Sequence, residues 1–290
     1  MSLTSFLAGT DVKEKFREEF SSPKFGVEKE LLAPPLTNHY SLVGTAFDYL
    51  MRFYLKHLNP NAVVHRWVAE ISLELIKDDR TLHKKASNIV SETEENYLTF
   101  LKAGKMDDRL IRSALLLAQL DPIYRAGIVD ENIGVIDAKD VEDMKNLISF
   151  LRPEIFKASR VCLLDPTFGE ASVLVGGADV DLVIDDAIID IKTTKKFELR
   201  RDYFNQLLGY YILYRIGGID GAPPKHEITR LGVYFSRHAY LHVFNVRDVV
   251  NEGTFPDFMK WFKKKAGEEY GSVPNSQKLR NRLRYPEFRR

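Results

Sequence analysis

Apolar positions recur at three- and four-residue steps through about the first 150 residues, the spacing that gathers them on one face of an α-helix. The segments GTAFDYLMRFYLKHL, AVVHRWVAEISLELI, TLHKKASNIVSETEENYLTFLKAG, DDRLIRSALLLAQL and AKDVEDMKNLISFL carry this period most clearly. Gly44-Thr45, Asn59-Pro60, Gly104 and Asp121-Pro122 punctuate them, because proline cannot continue a helix and glycine favours its C-terminal end. No internal period of roughly 20 to 50 residues marks a repeat array. Residues 1–157 therefore read as a helical region that packs on or caps the rest of the chain.

From about Ser159 the texture changes to short β-rich runs: RVCLL, FGEASVLV, ADVDLVI and AIIDIKTT. The turn pairs Gly176-Gly177 and Asp185-Asp186 separate the last three and predict three strands joined by two tight hairpins. A helix follows in ELRRDYFNQLLGYYILYRI and stops at Gly217-Gly218, then come strands in TRLGVYFSR and YLHVFNV and a closing amphipathic helix in DFMKWFKKKAGEEY. This order predicts an α/β (α+β) fold with a central mixed β-sheet flanked by helices over 158–270. The remaining 271–290 have no apolar period and read as a basic C-terminal tail.

The hairpin register can be worked out from its turn. With Asp185-Asp186 as the turn, Ile184 pairs with Ala187, which sets Asp181 opposite Asp190 and Asp179 opposite Lys192 on one face. Val180, Leu182, Ile184, Ile189 and Ile191 then form the other, wholly apolar face. Carried back through Gly176-Gly177, the same register sets Ser172 opposite Asp181 and Glu170 opposite Val183, on the acidic face. Two aspartates directly opposite one another repel, so the pairing is not there for stability. A hard divalent cation bound by carboxylate oxygens would neutralise them. A lysine two residues beyond such a ligand can orient or deprotonate a metal-acidified water, a constellation suited to phosphodiester hydrolysis. A plain solvated strand face with surface ion pairs is the structural alternative.

These residues resemble the PD-(D/E)xK nuclease superfamily, in particular its RecB-like branch. The resemblance rests on Asp181-Leu182-Val183, on Asp190-Ile191-Lys192-Thr193 and on Gln206 followed four residues later by Tyr210, similar to that branch's Q-x-x-x-Y motif, and it covers roughly 165–235. It implies a restriction-endonuclease-like core in which Asp181, Asp190 and the Ile191 carbonyl hold magnesium or manganese and Lys192 helps the attacking water. Many members of the branch carry a further histidine ligand in a G-x-x-x-H pattern. The similar stretch here, Gly44 to Asp48, ends in aspartate, so Glu170, Asp48, Glu70 and Glu74 remain as candidates, with Glu170 favoured by the hairpin register. Gln206, Tyr210, Lys195, Lys196, Arg200 and Arg201 are the candidate nucleic-acid contacts; a solvated loop-to-helix junction is the other reading of the four basic residues.

Composition narrows the function further. Hydrophobic residues make 44% and charged residues 29%, which excludes a wholly disordered or collagen-like chain. With Cys162 as its single cysteine the chain can hold no four-cysteine iron–sulfur cluster, which sets it apart from the CRISPR-associated members of the branch. The seven histidines show no H-x-x-x-H or H-E-x-x-H spacing, and no G-x-x-x-x-G-K-[ST] loop points to a nucleotide cofactor. Net charge is +1, but from Met259 onward ten basic residues stand against Glu268, Glu269 and Glu287, so the last stretch is +7 and the rest −6. Such a basic tail suits contact with nucleic acid and equally a solvated helix. No apolar run approaches the ~18 residues of a membrane span, and the N-terminus lacks a basic stretch before its apolar one, so a cytoplasmic protein with no membrane partner is expected. The expected activity is metal-dependent hydrolysis of DNA, with RNA left open. The rival is a nuclease-like module without catalysis that binds nucleic acid or a protein partner.

Overall fold

The computed structural model describes residues 2–270, and the tail 271–290 lies outside the described residues. Two short N-terminal helices, α1 (Leu3–Leu7) and α2 (Thr10–Glu19), precede a helical group of α3 (Tyr40–Leu58), α4 (Val68–Leu75), α5 (Arg80–Ala103), α6 (Asp108–Ala126) and α7 (Ala138–Ser149). A two-residue strand, β1 (Val63–Val64), interrupts that group. Then follow β2 (Cys162–Leu164), α8 (Glu170–Leu174), β3 (Leu182–Ile184), β4 (Ala187–Lys192), α9 (Arg201–Gly217), β5 (Arg230–Phe235), β6 (Tyr240–Asn245) and α10 (Phe255–Tyr270).

Helix ends follow the expected chemistry at most places. The Asp79 carboxylate accepts from the Thr81 and Leu82 amides at the start of α5, and Gly104, at φ 68°, closes it in the left-handed region that glycine adopts without cost. Gly218, at φ 76°, ends α9 as expected. Three expectations fail. Gly44-Thr45 lies inside α3 rather than at its boundary, since the helix begins at Tyr40. Pro122 lies inside α6 rather than after it, because packing of that helix against α3, α4 and α5 holds the last turn in place despite the missing N–H. Val63 and Val64, assigned by period to a helix, form β1, which pairs in parallel with β2.

The strands form one mixed sheet in the order β1-β2-β3-β4-β5-β6. The β1/β2 and β4/β5 pairs are parallel and the others antiparallel. A parallel β4/β5 pair needs a crossover, and α9 supplies it. Ile184 pairs with Ala187 across the Asp185-Asp186 turn, the register the sequence predicts. The strand before this hairpin is different. FGEASVLV folds as α8 and its flanking turns, so β3 pairs with β2 instead, Leu164 opposite Leu182. Local hydrogen bonds drive the change: Ser172 Oγ accepts from the Phe168 amide and donates to the Ala178 carbonyl, closing the segment on itself. Asp179 bridges to Thr167, not to Lys192.

Both sheet faces are buried. Leu182, Ile184, Ile189 and Ile191 join one core with α3 and α6, whereas Val183, Ile188, Leu231 and Val233 join a second with α9 and α10. The hairpin face that carries Asp181 and Asp190 is therefore covered by α9 and is not the plain solvated strand face weighed as the alternative. Val180, expected with Leu182 and Ile184, enters the second core. The N-terminal region also divides between the two layers. Phe6 packs edge-on against Phe262 with ring centres 5.1 Å apart, and Phe16 against Phe258 at 5.2 Å, so α1 and α2 belong with α10. The close approach of α1 to α9 requires Gly209, where a Cβ would meet a Leu3 methyl at 2.9 Å. Among the described residues no helix is long and apolar enough to cross a membrane.

Candidate active site

Strand β4 ends at Lys192, and there α3 from one covering layer and α9 from the other converge on a polar cavity of about 250 Å³. Asp181 and Asp190 both line it. The β3/β4 register brings them alongside, and Asp181 Oδ2 accepts from the Ile191 amide at 2.6 Å. Asp165 N in turn donates to the Asp181 carbonyl at 2.9 Å, fixing the backbone just outside β3.

Asp190 is 2% exposed, and Lys192 Nζ lies 2.7 Å from its Oδ2, a charge contact without good hydrogen-bond alignment. The same ammonium donates to Gln206 Oε1 at 2.9 Å, and Gln206 Nε2 donates to the Tyr210 hydroxyl at 2.7 Å. Tyr210 is buried and stacks on Phe168. Gln206 and Tyr210, one helical turn apart on α9, thus hold Lys192 at the end of β4.

Asp48 of α3 completes the group from the other layer. It lines the same cavity half-buried, and among the described residues its carboxylate accepts no hydrogen bond. Nearby, Arg52 Nη1 donates to Asp165 Oδ2 at 2.7 Å, and Arg125 reaches Asp179 at 3.4 Å and Asp121 at 3.6 Å. The cavity lining therefore holds six aspartates, Asp48, Asp121, Asp165, Asp179, Asp181 and Asp190, against Arg52, Arg125 and Lys192. This surplus of negative charge out of water raises the affinity for protons. Burial, and then the charge of Asp190, push the Asp181 carboxyl up to about 7, although the Ile191 amide and Lys192 pull the other way. Burial also raises Asp190, against the pull of Lys192. Asp48 is raised well above the carboxylate range, first by burial and then by Asp181. Burial opposes the charge on Lys192, but Asp190 outweighs it and raises its proton affinity, which favours the ammonium form.

Among the described residues no group of three or more His, Cys, Asp or Glu side chains stands close enough together to hold a metal ion. The donor set nevertheless suits magnesium or manganese. These ions bind hard oxygens, keep several waters, and need only one or two carboxylates from the protein. Asp48, Asp181 and Asp190 offer such oxygens into one cavity, and Ile191 lines it beside them.

The other candidates are placed elsewhere. Glu170 is exposed on the first turn of α8 and does not line the cavity, because the strand from which it was read is a helix. Glu70 caps α4 through the Trp67 amide, and Glu74 pairs with Arg66. Lys195 and Lys196 are exposed beyond β4, outside the cavity lining. Arg200 grips Asp202 with two nitrogens. Arg201 is a structural strap: it donates to the Phe16 and Phe20 carbonyls, to Ser22 and to Asn205, tying α2 to α9. Sequence reasoning missed Arg52, Arg125, Asp121 and Asp165. The one signal for them is the Asp-to-Arg spacing of four residues, Asp48 to Arg52 and Asp121 to Arg125, which places each pair on one helix face. No family model, curated protein or solved structure matches the chain.

Proposed function

We propose that the chain is a metal-dependent nuclease of the PD-(D/E)xK type, with the RecB-like Q-x-x-x-Y arrangement, that hydrolyses phosphodiester bonds of DNA. The observation that carries this reading is the charge surplus at the end of β4: Asp48, Asp181 and Asp190 with raised proton affinities meet there around one ammonium, Lys192. Such an arrangement costs stability unless a cation balances it. Asp181 and Asp190 would hold magnesium or manganese with the Ile191 carbonyl, and Asp48 takes the place of the upstream ligand in preference to Glu170. A bound ion there would acidify a water and offset charge on the scissile phosphate.

The protein's own part is positioning and charge. The Ile191 amide orients Asp181. Gln206, itself held by Tyr210, keeps the Lys192 ammonium at the cavity, where it stabilises negative charge developing on the phosphate oxygens. Neither Gln206 nor Tyr210 needs to touch DNA for this. The test is incubation of the purified protein with magnesium or manganese and labelled linear, circular and single-stranded DNA, beside Lys192→Ala. Metal-dependent cutting that is lost in the variant supports the reading. A wild-type protein that cuts none of these substrates leaves only the non-catalytic module.

A further inference from the structure

A cavity of about 380 Å³ opens between α1, α2 and the start of α9, and its charged lining is Lys13, Arg17, Arg201 and Asp202. Lys13 and Arg17 stand one turn apart on the same face of α2, a like-charge spacing that disfavours a helix. The acids around them have partners of their own. Asp11 meets Lys265 at 2.6 Å, and Glu18 meets Lys15 at 3.0 Å. Asp202, the one carboxylate in the lining, is gripped through two nitrogens by Arg200, which lies outside the lining. Among the described residues the exposed side chains of Lys13 and Arg17 have neither a hydrogen bond nor an ion pair.

Arg201 adds a third positive charge that is already fixed in place. Its bonds to the Phe16 and Phe20 carbonyls, to Ser22 and to Asn205 hold the guanidinium at the cavity wall, and burial, then the nearby charge of Arg17, lower its proton affinity. Three cations thus share one cavity whose only acid is neutralised from outside, the reverse of the balance at the end of β4. The two places are close. Asn205 lines this cavity, and Gln206, the next residue of α9, lines the cavity at the end of β4. Arg201 lies five residues before Gln206, about 7.5 Å along the helix axis.

Resting on the nuclease reading, we infer that Lys13 and Arg17, with the fixed charge of Arg201 behind them, bind a backbone phosphate of the DNA substrate beside the cleavage cavity. Such a contact positions the strand and reads no sequence. The test measures binding and cutting separately in the full chain. Fluorescence anisotropy of a labelled oligothymidylate, in calcium and over a range of potassium chloride, reads affinity whether or not the protein cuts. Loss of one phosphate contact makes the fall of log affinity with log salt shallower by about 0.7 on a single strand. We expect that change, with weaker binding at low salt, in the double variant Lys13→Gln/Arg17→Gln, and the wild-type slope in Lys102→Gln, which removes an exposed lysine at the end of α5. A wild-type slope in the double variant, an equal change in Lys102→Gln, or no binding by the wild type overturns the inference. Binding with the expected pattern in a protein that never cuts DNA upholds the phosphate site while removing the nuclease reading, and cutting with an unchanged slope does the reverse. In cutting assays the double variant should raise KM with little change in kcat.

Discussion

Two buried charge pairs on the same sheet show opposite designs. At the C-terminal end of β5, Arg237 meets Asp143 of α7 one to one: Nη1 to Oδ1 at 2.8 Å, Nη2 to Oδ2 at 3.0 Å, both side chains 1% exposed. Arg237 also donates to the Ala33 carbonyl, and its own carbonyl accepts from Leu32 and Ala33. Charge is balanced, and the pair fastens the segment before α3 and α7 to the sheet. At the end of β4, Lys192 faces Asp190 with Asp181 and Asp48 beside it, three carboxylates around one cation. The first arrangement balances its charge as it stands, although Arg237 Nε is buried without a hydrogen-bond partner among the described residues. The second is complete only with added protons or an added cation, which is why we place the chemistry there.

The largest expected effect breaks the balanced pair. Arg237→Ala leaves Asp143 buried without its partner and should cost about 3 to 5 kcal/mol of stability. Denaturant unfolding should show the same loss in chelator and in manganese, since no ion repairs this site. Next comes Lys192→Ala, which should lower cleavage by about a hundredfold or more. It should also lower the melting temperature in chelator, because Asp190 loses its only close cation, and manganese should restore most of that loss. Cleavage at the wild-type rate would remove Lys192 from the mechanism.

The sequence makes the Asp185-Asp186 turn and the Ile184–Ala187 register legible, because a two-residue turn fixes the pairing of both strands. The pairing of Asp181 with Asp190 follows from it, and the four-residue spacing of Gln206 and Tyr210 sets them on one helix face. The helix over Glu170–Leu174 is not legible, since FGEASVLV has strand-like residues and only the Ser172 hydroxyl bonds decide against the strand. Choosing Asp48 over Glu170, Glu70 and Glu74 was equally out of reach. All four are carboxylates of equal standing in sequence, and only the packing of α3 over the end of β4 brings one of them, Asp48, to the cavity. Which helix covers the hairpin's acidic face is not legible, because alternation alone does not report what covers a sheet.

That choice of Asp48 gives the third prediction. Asp48→Asn should raise the manganese concentration needed for half-maximal activity by at least about tenfold. Glu170→Gln should leave it unchanged, and the reverse result would return Glu170 to the site. A smaller effect comes from pH. Asp181 keeps its proton up to about 7 in the folded protein, against an ordinary value of 3.8. Between those values the folded state binds more protons than the unfolded one, so stability falls as pH rises through this window. In chelator the melting temperature should drop by a few degrees from about pH 5.5 to 8, and Asp181→Asn should flatten that contribution.

Asp181→Asn also gives the most direct test, because at pH 8, where Asp181 has lost its proton, it removes one of the repelling charges while the Lys192–Asp190 contact stays and the amide oxygen can still accept from Ile191. Thermal melts of wild type and Asp181→Asn, each in chelator and in manganese, measure whether the surplus charge at β4 is a cation site. The variant should melt higher than wild type in chelator. Manganese should raise the wild type by linkage to the folded state, and the variant should lose most of that gain. An equal manganese response in the two proteins, or none in the wild type, would contradict a metal site at this cavity.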